Sequence, residues 1–108
     1  MPMKGGDKMR IGNYTFEGPY TSTGQLQNRA GVYAILSKNG IQYYLIDVGE
    51  SHDVRNRVEN HDRSDCWSRN GNGQLSVAVL YTPNQQQAGR RAIENQIRAQ
   101  FNPVCGDR

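Results

Sequence analysis

Residues 30–51, AGVYAILSKNGIQYYLIDVGES, decide the fold more than any other part of this chain. Two runs rich in β-branched and aromatic residues, Ala30 to Leu36 and Gln42 to Val48, have the composition of strands. Ser37-Lys38-Asn39-Gly40 lies between them, and Asn-Gly is a strong turn signal because both residues tolerate positive φ. The stretch therefore predicts an antiparallel β-hairpin.

The sequence before the hairpin predicts one more strand. Met9 to Phe16 (MRIGNYTF) alternates loosely and is expected to form a short edge strand. Gly18-Pro19 then begins a polar connection that continues to about Asn28. Residues 1–8 are expected to be a flexible tail, which leaves residues 9–108 as a single domain.

The sequence after the hairpin changes to a helical pattern. Ser51 or Asp53 is expected to cap a helix in which Val54 and Val58 lie four residues apart, on one face. This helix is expected to fade near residues 61–62. A loop, RSDCWSRNGNG, follows and is expected to anchor Trp67 in the core.

The C-terminal third predicts a strand and a helix. Leu75 to Tyr81 (LSVAVLY) has the composition of a buried strand, and a helix is predicted from about Gln85 to Phe101. Ile93, Ile97 and Phe101 give that helix an apolar face. Asn102-Pro103 ends it, because a residue before proline is disfavoured in the helical region.

The predicted order is thus β-β-β-α-β-α. The fold class is α/β in the broad sense (α+β), with a small, mostly antiparallel sheet of three to four strands flanked by helices.

Size, charge and cysteine content narrow the class of protein. The chain has 108 residues, enough for one domain, and its formal charge of +3 favours a polyanionic partner only mildly. No apolar run has the length of a membrane span or of a signal-peptide core, so a cytoplasmic protein is expected. Cys66 and Cys105 are then expected to be free thiols. A zinc site that adds His61 to them is a weaker alternative, since no C-x-x-C pair supports it.

Three separated motifs lie on the predicted elements. Gly31-Val32-Tyr33 lies on the first hairpin strand, and Asp47-Val48-Gly49-Glu50-Ser51 ends the second. The second motif continues into Asp53-Val54-Arg55-Asn56-Arg57-Val58, which starts the next helix, and the third consists of Ala92-Ile93-Glu94-Asn95 followed by Phe101-Asn102-Pro103. In order and spacing this set resembles the GIY-YIG nuclease superfamily over roughly residues 30–106, with Gly31 and Gly49 as the motif glycines.

The resemblance implies a role for each matching residue. Tyr33 would face the attacking water with its phenolic oxygen, and Arg57 would steady the scissile phosphate. His61 matches a histidine that part of the family has one turn later, and Glu94 would hold a single Mg²⁺ or Mn²⁺ ion. Such a set suits phosphodiester hydrolysis, because negative charge develops on the phosphate and on the leaving oxygen.

Two positions depart from the family pattern. Asp47 stands where the second-motif tyrosine is expected, and Gly106 stands where many members have an asparagine. A carboxylate repels a phosphate unless a metal ion intervenes or the acid is protonated. An active enzyme would use Asp47 as a second metal ligand or as the group that orients the attacking water. Strand alternation places Tyr43 on the face of Asp47, at roughly 13 Å, and Tyr44 on the opposite face. Neither replaces the missing phenol without a bulge.

Each of these residues also has an ordinary structural interpretation. A strand tyrosine usually packs, a glycine after a strand can be a simple turn, and a histidine near a helix C-terminus is stabilised by the helix dipole. Charged helix residues pair at a spacing of four. The pairs concerned would be Arg57 with Asp53, and Glu94 with Arg90 and Arg98 as ordinary surface pairs of small energy.

The first hypothesis is therefore a DNA endonuclease that depends on Mg²⁺ or Mn²⁺, with Tyr33, Asp47, Arg57 and Glu94 converging on one shallow basic cleft. The alternatives are a catalytically impaired DNA-binding module and a protein-interaction adaptor that uses the sheet edge near residues 9–20. Selection of the DNA target would then come from the domain itself, from a homodimer or from a partner protein. A phosphate-tracking surface is expected from scattered arginines, although acids are interspersed: Arg55, Arg63, Arg69, Arg91 and Arg98.

Overall fold

A computed structural model describes residues 8–71 and 73–106. Of the tail expected at residues 1–8, residues 1–7 lie outside the described part, and Lys8 belongs to a strand. The strands are β1 (Lys8–Ile11), β2 (Tyr14–Tyr20), β3 (Gly31–Asn39), β4 (Gln42–Ser51) and β5 (Gln74–Tyr81). The helices are α1 (Val54–Glu59), α2 (Ser64–Asn70) and α3 (Gln87–Phe101), with a 3-10 turn at Thr23–Gln25. The strands form one antiparallel sheet in the order β1-β2-β5-β3-β4.

The α+β class is confirmed, but the predicted count of three to four strands and the order β-β-β-α-β-α are wrong. Residues 9–16 contain parts of two strands, because Gly12 takes a φ of 61° and turns the chain so that Ile11 pairs with Tyr14. The second of these strands continues to Tyr20, where a polar connection was predicted. The loop predicted after α1 contains α2, and this helix buries Trp67 as expected.

The predicted hairpin is present and contains a bulge. Ile35 pairs with Asp47, whereas Leu36 pairs with Leu45, so Ile46 is an extra residue on β4. An extra residue reverses the alternation of side chains along the strand that carries it.

The bulge overturns the expected placement of the two neighbouring tyrosines. Tyr44 pairs with Ser37 and therefore lies on the face of Asp47, while Tyr43 pairs with Lys38 on the opposite face. Tyr44 is nevertheless half exposed near the turn of the hairpin and does not reach the motif residues at the other end of β4.

The sheet is covered on both faces, which gives two apolar clusters. Val54 and Val58 of α1 and Trp67 of α2 pack against Tyr33 and Ile35 on one face. Ile93 and Ile97 of α3 pack on the other face, against a set that includes Phe16, Val32, Ala34 and Val48. The end of the β3–β4 pair where Gly31 lies opposite Ser51 is therefore located between α1 and α3.

The helix ends follow the sequence in part. Asp53 caps α1, and its carboxylate accepts a hydrogen bond from the Asn56 N–H at 3.3 Å. Helix α3 begins at Gln87 and not at Gln85. Phe101, expected to be buried, is 44% exposed. A step of four residues advances about 40° around a helix, so Phe101 lies roughly 80° away from Ile93 and leaves the packed face.

Cys66 and Cys105 form a disulfide, with Cα atoms 6.0 Å apart, so the free-thiol expectation is wrong. Helix α2 brings Cys66 against the C-terminal segment, which is tied to β4 by a hydrogen bond from the Cys105 N–H to the Ile46 carbonyl at 2.9 Å. The zinc alternative fails for the same reason, because both thiols are consumed. Across residues 8–71 and 73–106, no helix is both long enough and apolar enough to cross a membrane.

Candidate active site

A cleft of about 300 Å³ opens at the end of β3 and β4 that faces α1 and α3. Its lining residues come from two strands, two helices and the α1–α2 connection: Tyr33, Gly49, Glu50, Arg57, Arg63, Arg91, Glu94 and Asn95. Three of the four residues expected to converge, Tyr33, Arg57 and Glu94, therefore line one cavity. Asp47, the fourth, does not.

Tyr33 forms the floor of the cleft because the residue opposite it is glycine. Tyr33 pairs with Gly49 across β3 and β4, and its side chain is fully buried. A Cβ at position 49 would overlap the Tyr33 hydroxyl and ring. Gly49 thus has a packing role at the site, beyond that of a strand-to-helix turn.

His61 holds the Tyr33 hydroxyl. The Tyr33 Oη and His61 Nε2 atoms are 2.7 Å apart, and His61 Nδ1 accepts a hydrogen bond from the Arg63 N–H at 2.9 Å. The hydrogen of the neutral ring is therefore assigned to Nε2, which donates to the phenolic oxygen. The His61 side chain is fully buried and lies beyond the end of α1 at Glu59, so its role is not that of a helix-dipole residue.

Both partners are neutral at physiological pH. Burial raises the pKa of Tyr33 to about 12, although the charges of Arg57 and Arg63 lower it in part. Burial also lowers the pKa of His61 to about 4, and the same two arginines act in that direction. Tyr33 is therefore a protonated phenol with one lone pair engaged by His61, and its deprotonation would require more positive charge in the cleft.

Arg57 lies in the cleft beside the Tyr33 hydroxyl and forms an ion pair with Asp62. Its Nη2 is 3.2 Å from Asp62 Oδ1, and the two side chains are 40% and 75% exposed. Its alternative partner, Asp53, instead caps α1 and binds Asn28, so the expected Arg57–Asp53 pair does not form. An exposed pair of this kind is worth only about 0.2–1 kcal/mol, so Arg57 can exchange Asp62 for a bound anion at low cost.

Glu94 lies on the opposite wall and makes one of the two ion pairs expected for it. Arg98 Nε donates to Glu94 Oε2 at 3.2 Å, whereas Arg90 pairs with Glu50 at 2.8 Å. Both arginines are buried, contrary to the expectation of surface pairs, because they flank the face of α3 that packs on the sheet.

Asp47 is fully buried behind the cleft, so the expectation that it lines the site as a metal ligand or a water-orienting group is wrong. Its Oδ2 accepts hydrogen bonds from Arg63 Nε at 2.7 Å and Trp67 Nε1 at 2.8 Å. Its Oδ1 accepts from Arg98 Nη2 at 2.7 Å and from the Val48 N–H at 2.8 Å. These donors occupy the carboxylate, and two guanidinium groups offset its charge.

The second departure from the family pattern is adjacent to the first. Gly106 has a φ of 97°, a conformation that favours glycine, and a Cβ there would overlap the Arg98 guanidinium. The same guanidinium binds Asp47 and donates through Nη1 to the Cys105 carbonyl at 3.0 Å. Asp47 and Gly106 thus meet at Arg98.

The expected phosphate-tracking arginines have different environments. Arg98 is buried and fully engaged, so its assignment to a DNA-binding surface is wrong. Arg55 pairs with Glu59 at 3.3 Å, and Arg69 is exposed on α2 outside the cleft. Arg63 and Arg91 do line the cleft, and Arg91 is 3.7 Å from Glu50. With three arginines and two glutamates, the cleft is less basic than expected.

Sequence reasoning did not assign Glu50 or Asn95 to the site. Each directly follows a motif residue, Gly49 or Glu94, and that adjacency is the sequence signal that points to them.

No family model, curated protein or solved structure matches this chain. The resemblance to GIY-YIG nucleases therefore rests on the motif residues alone.

The donor set is compatible with a single hard cation. Glu94 lines an open, polar cleft, and its ion pair with Arg98 uses only one carboxylate oxygen, Oε2. Magnesium is often bound by one or two carboxylates, with water and phosphate completing its shell. The described residues contain no cluster of three or more His, Cys, Asp or Glu side chains that could hold a metal ion by themselves. A single-carboxylate site does not require such a cluster.

Proposed function

We propose that this protein is a divalent-metal-dependent DNA endonuclease of the GIY-YIG type. One observation carries the proposal: Tyr33, Arg57 and Glu94, from three separated motifs, line one cleft. Their structural interpretations in isolation provide no reason for them to meet. Arginines on two sides of the same cleft are what a phosphodiester substrate requires.

Glu94 would hold the cation, Mg²⁺ or Mn²⁺, and the remaining positions of its shell would be left to water and phosphate. When bound, the ion supplies positive charge that stabilises the negative charge developing on the phosphate and leaving oxygens. The same charge would lower the pKa of Tyr33 from its value of about 12.

Arg57, Tyr33 and His61 would supply the other functions of the site. Arg57 would leave Asp62 and donate to the non-bridging oxygens of the scissile phosphate. Tyr33, fixed by the hydrogen bond from His61 Nε2, would position the attacking water with its phenolic oxygen. Burial of the tyrosine and histidine keeps this geometry rigid before substrate binds.

A DNA-binding module without cleavage is the second candidate. A specific observation favours it: neither Tyr33 nor His61 is an effective base at neutral pH while the cleft lacks added positive charge. An adaptor that pairs through β1 is less favoured, because Lys8 and Arg10 are exposed on that strand and charges on an edge strand discourage pairing. A homodimer or a targeting partner, and a cytoplasmic location, remain predictions.

A plasmid-nicking assay tests the proposal. Supercoiled DNA is incubated with the wild type in Mg²⁺ or Mn²⁺, with EDTA as the blank, beside Arg57→Gln and the matched control Arg10→Gln on the far edge strand. Metal-dependent nicking that Arg57→Gln loses and Arg10→Gln retains is the expected result. DNA binding without nicking under any metal would replace the endonuclease with the binding module.

A further inference from the structure

The buried carboxylate of Asp47 has one partner that reaches the cleft. Arg63 pairs with it side-on, through Nε at 2.7 Å and Nη2 at 3.3 Å. Arg63 also lines the cleft, and its side chain remains 28% exposed. Although burial opposes its charge, the hydrogen bonds and charge of Asp47 raise the pKa of Arg63 above its ordinary value.

The side-on pairing leaves part of the guanidinium uncommitted. Arginine has five N–H donors in a planar fork, and the two bonds to Asp47 use two of them. The other three, on Nη1 and Nη2, are held in a fixed plane at the cleft wall. A planar, charged, preorganised donor set of this kind suits a phosphate oxygen.

The rest of the cluster acts to keep Asp47 in place. Trp67 Nε1, the Val48 N–H and Arg98 donate to the same two carboxylate oxygens, and Gly106 leaves the space that Arg98 needs. Arg98 also binds Glu94, so one network orients side chains on two walls of the cleft. Both positions that depart from the family pattern thus serve this network: Asp47 supplies its negative charge, and Gly106 leaves space for Arg98.

We propose that Arg63 is the second phosphate-binding guanidinium of the cleft and that buried Asp47 is the residue that positions it. The inference rests on the proposed function and specifies its substrate contact. Where the family pattern predicts a phenol at position 47, this chain has a carboxylate that holds Arg63 at the cleft wall.

Salt-dependent DNA binding tests the inference without cleavage. A short duplex is titrated in EDTA at several salt concentrations with the wild type, Arg63→Gln, Asp47→Asn, the double variant and the control Arg10→Gln. Loss of one phosphate contact reduces the magnitude of the negative slope of log K against log salt by about 0.9 for duplex DNA. We expect that loss for Arg63→Gln, the same loss for Asp47→Asn, and no further loss in the double variant.

The direction in which Asp47→Asn changes the affinity for DNA separates an effect of positioning from an effect of net charge. The substitution makes the protein more positive, so a purely electrostatic effect would strengthen binding, whereas loss of positioning weakens it. Arg63→Lys is the second variant, because it leaves Asp47 intact and keeps the charge but cannot pair side-on. Arg63→Lys is expected to show the same reduced salt dependence as Arg63→Gln. It therefore tests the inference even if Asp47→Asn does not fold.

The outcomes distinguish this inference from the proposed function. A wild-type slope in Arg63→Gln, in a protein that binds and nicks DNA, overturns the inference and leaves the nuclease proposal standing. A wild-type slope in Arg63→Lys overturns the part assigned to Asp47. A wild type without measurable affinity for DNA overturns both proposals.

Discussion

Glycine at position 49 is required by the tyrosine opposite it. A Cβ there would overlap the Tyr33 hydroxyl and ring, and the backbone of β4 cannot move away because Asp47 and Val48 are buried beside it. Tyr33 can therefore form the floor of the cleft only because residue 49 has no side chain.

Gly49→Ala is expected to displace the Tyr33 ring and break its hydrogen bond to His61. We expect loss of nicking activity and a decrease of about 1–3 kcal/mol in the free energy of unfolding, the usual cost of overpacking. Nicking assays and urea unfolding measure the two effects. Gly24→Ala is the control, since a Cβ there meets only Ser22 Oγ, at 3.4 Å. Full activity in Gly49→Ala would mean that the Tyr33–His61 contact is not used.

Glu94→Gln is expected to abolish metal-dependent nicking, because a neutral amide binds a hard cation poorly. From the sequence, its ion pairs were expected to be exposed and of little value. Since Arg98 is buried, we now expect a decrease of roughly 1 kcal/mol in stability. Mn²⁺ titration by calorimetry and thermal melting check both effects. Glu59→Gln, outside the cleft, is the matched control, and equal Mn²⁺ affinity in both variants would remove Glu94 from the proposed metal site.

At the scale of elements, the disulfide joins α2 to the segment after α3. Helix α2 contributes Trp67 to the Asp47 network, and the segment after α3 contributes the Cys105 carbonyl that holds Arg98. The bridge between residues 39 positions apart thus fixes two parts of the same network.

Reduction of the bridge is expected to lower the free energy of unfolding by roughly 2–4 kcal/mol, because the unfolded chain regains the entropy of an open loop. Urea unfolding with and without dithiothreitol measures the change. The double variant Cys66→Ala/Cys105→Ala provides the control and should not respond to the reductant. If the wild type is equally insensitive, the disulfide contributes nothing to stability.

At the scale of the whole molecule, burial of a neutral histidine makes stability depend on pH. The pKa of His61 is about 4 in the folded protein, against an ordinary value of 6.5. Between these values the unfolded chain binds a proton that the folded protein does not. The free energy of unfolding therefore falls as pH decreases from about 6.5 towards 4, with no further loss from this group below that range.

Urea unfolding at several pH values from 7 to 4 measures this dependence. His61→Gln is expected to flatten it, whereas His52→Gln, at an exposed position, is expected to leave it unchanged. The lowered pKa values of Asp53 and Asp62 add their own loss of stability only as the pH approaches their ordinary value of 3.8, so the slope between about pH 7 and 5 is the one assigned to His61. An identical pH profile in both histidine variants would contradict the assignment to His61.

The sequence by itself determined the features that depend on near neighbours. The β3–β4 hairpin follows from its turn residues, the start of α1 follows from the Asp53 cap, and burial of Val54 and Val58 follows from their spacing. The convergence of Tyr33, Arg57 and Glu94 on one cleft, by contrast, was predicted from the order and spacing of three motifs and the resemblance they carry, not from near neighbours.

Only the tertiary structure decided what depends on distant partners. Asp47 meets Arg63 and Arg98 across sequence separations of 16 and 51, and no local pattern records those pairs. The bulge at Ile46, which reversed the faces of Tyr43 and Tyr44, depends on the strand that pairs with β4. The disulfide likewise depends on where α2 packs. Local sequence selects conformations through short-range sterics and hydrogen bonds, whereas the fate of a buried charge or thiol is set by whichever groups the folded chain brings against it.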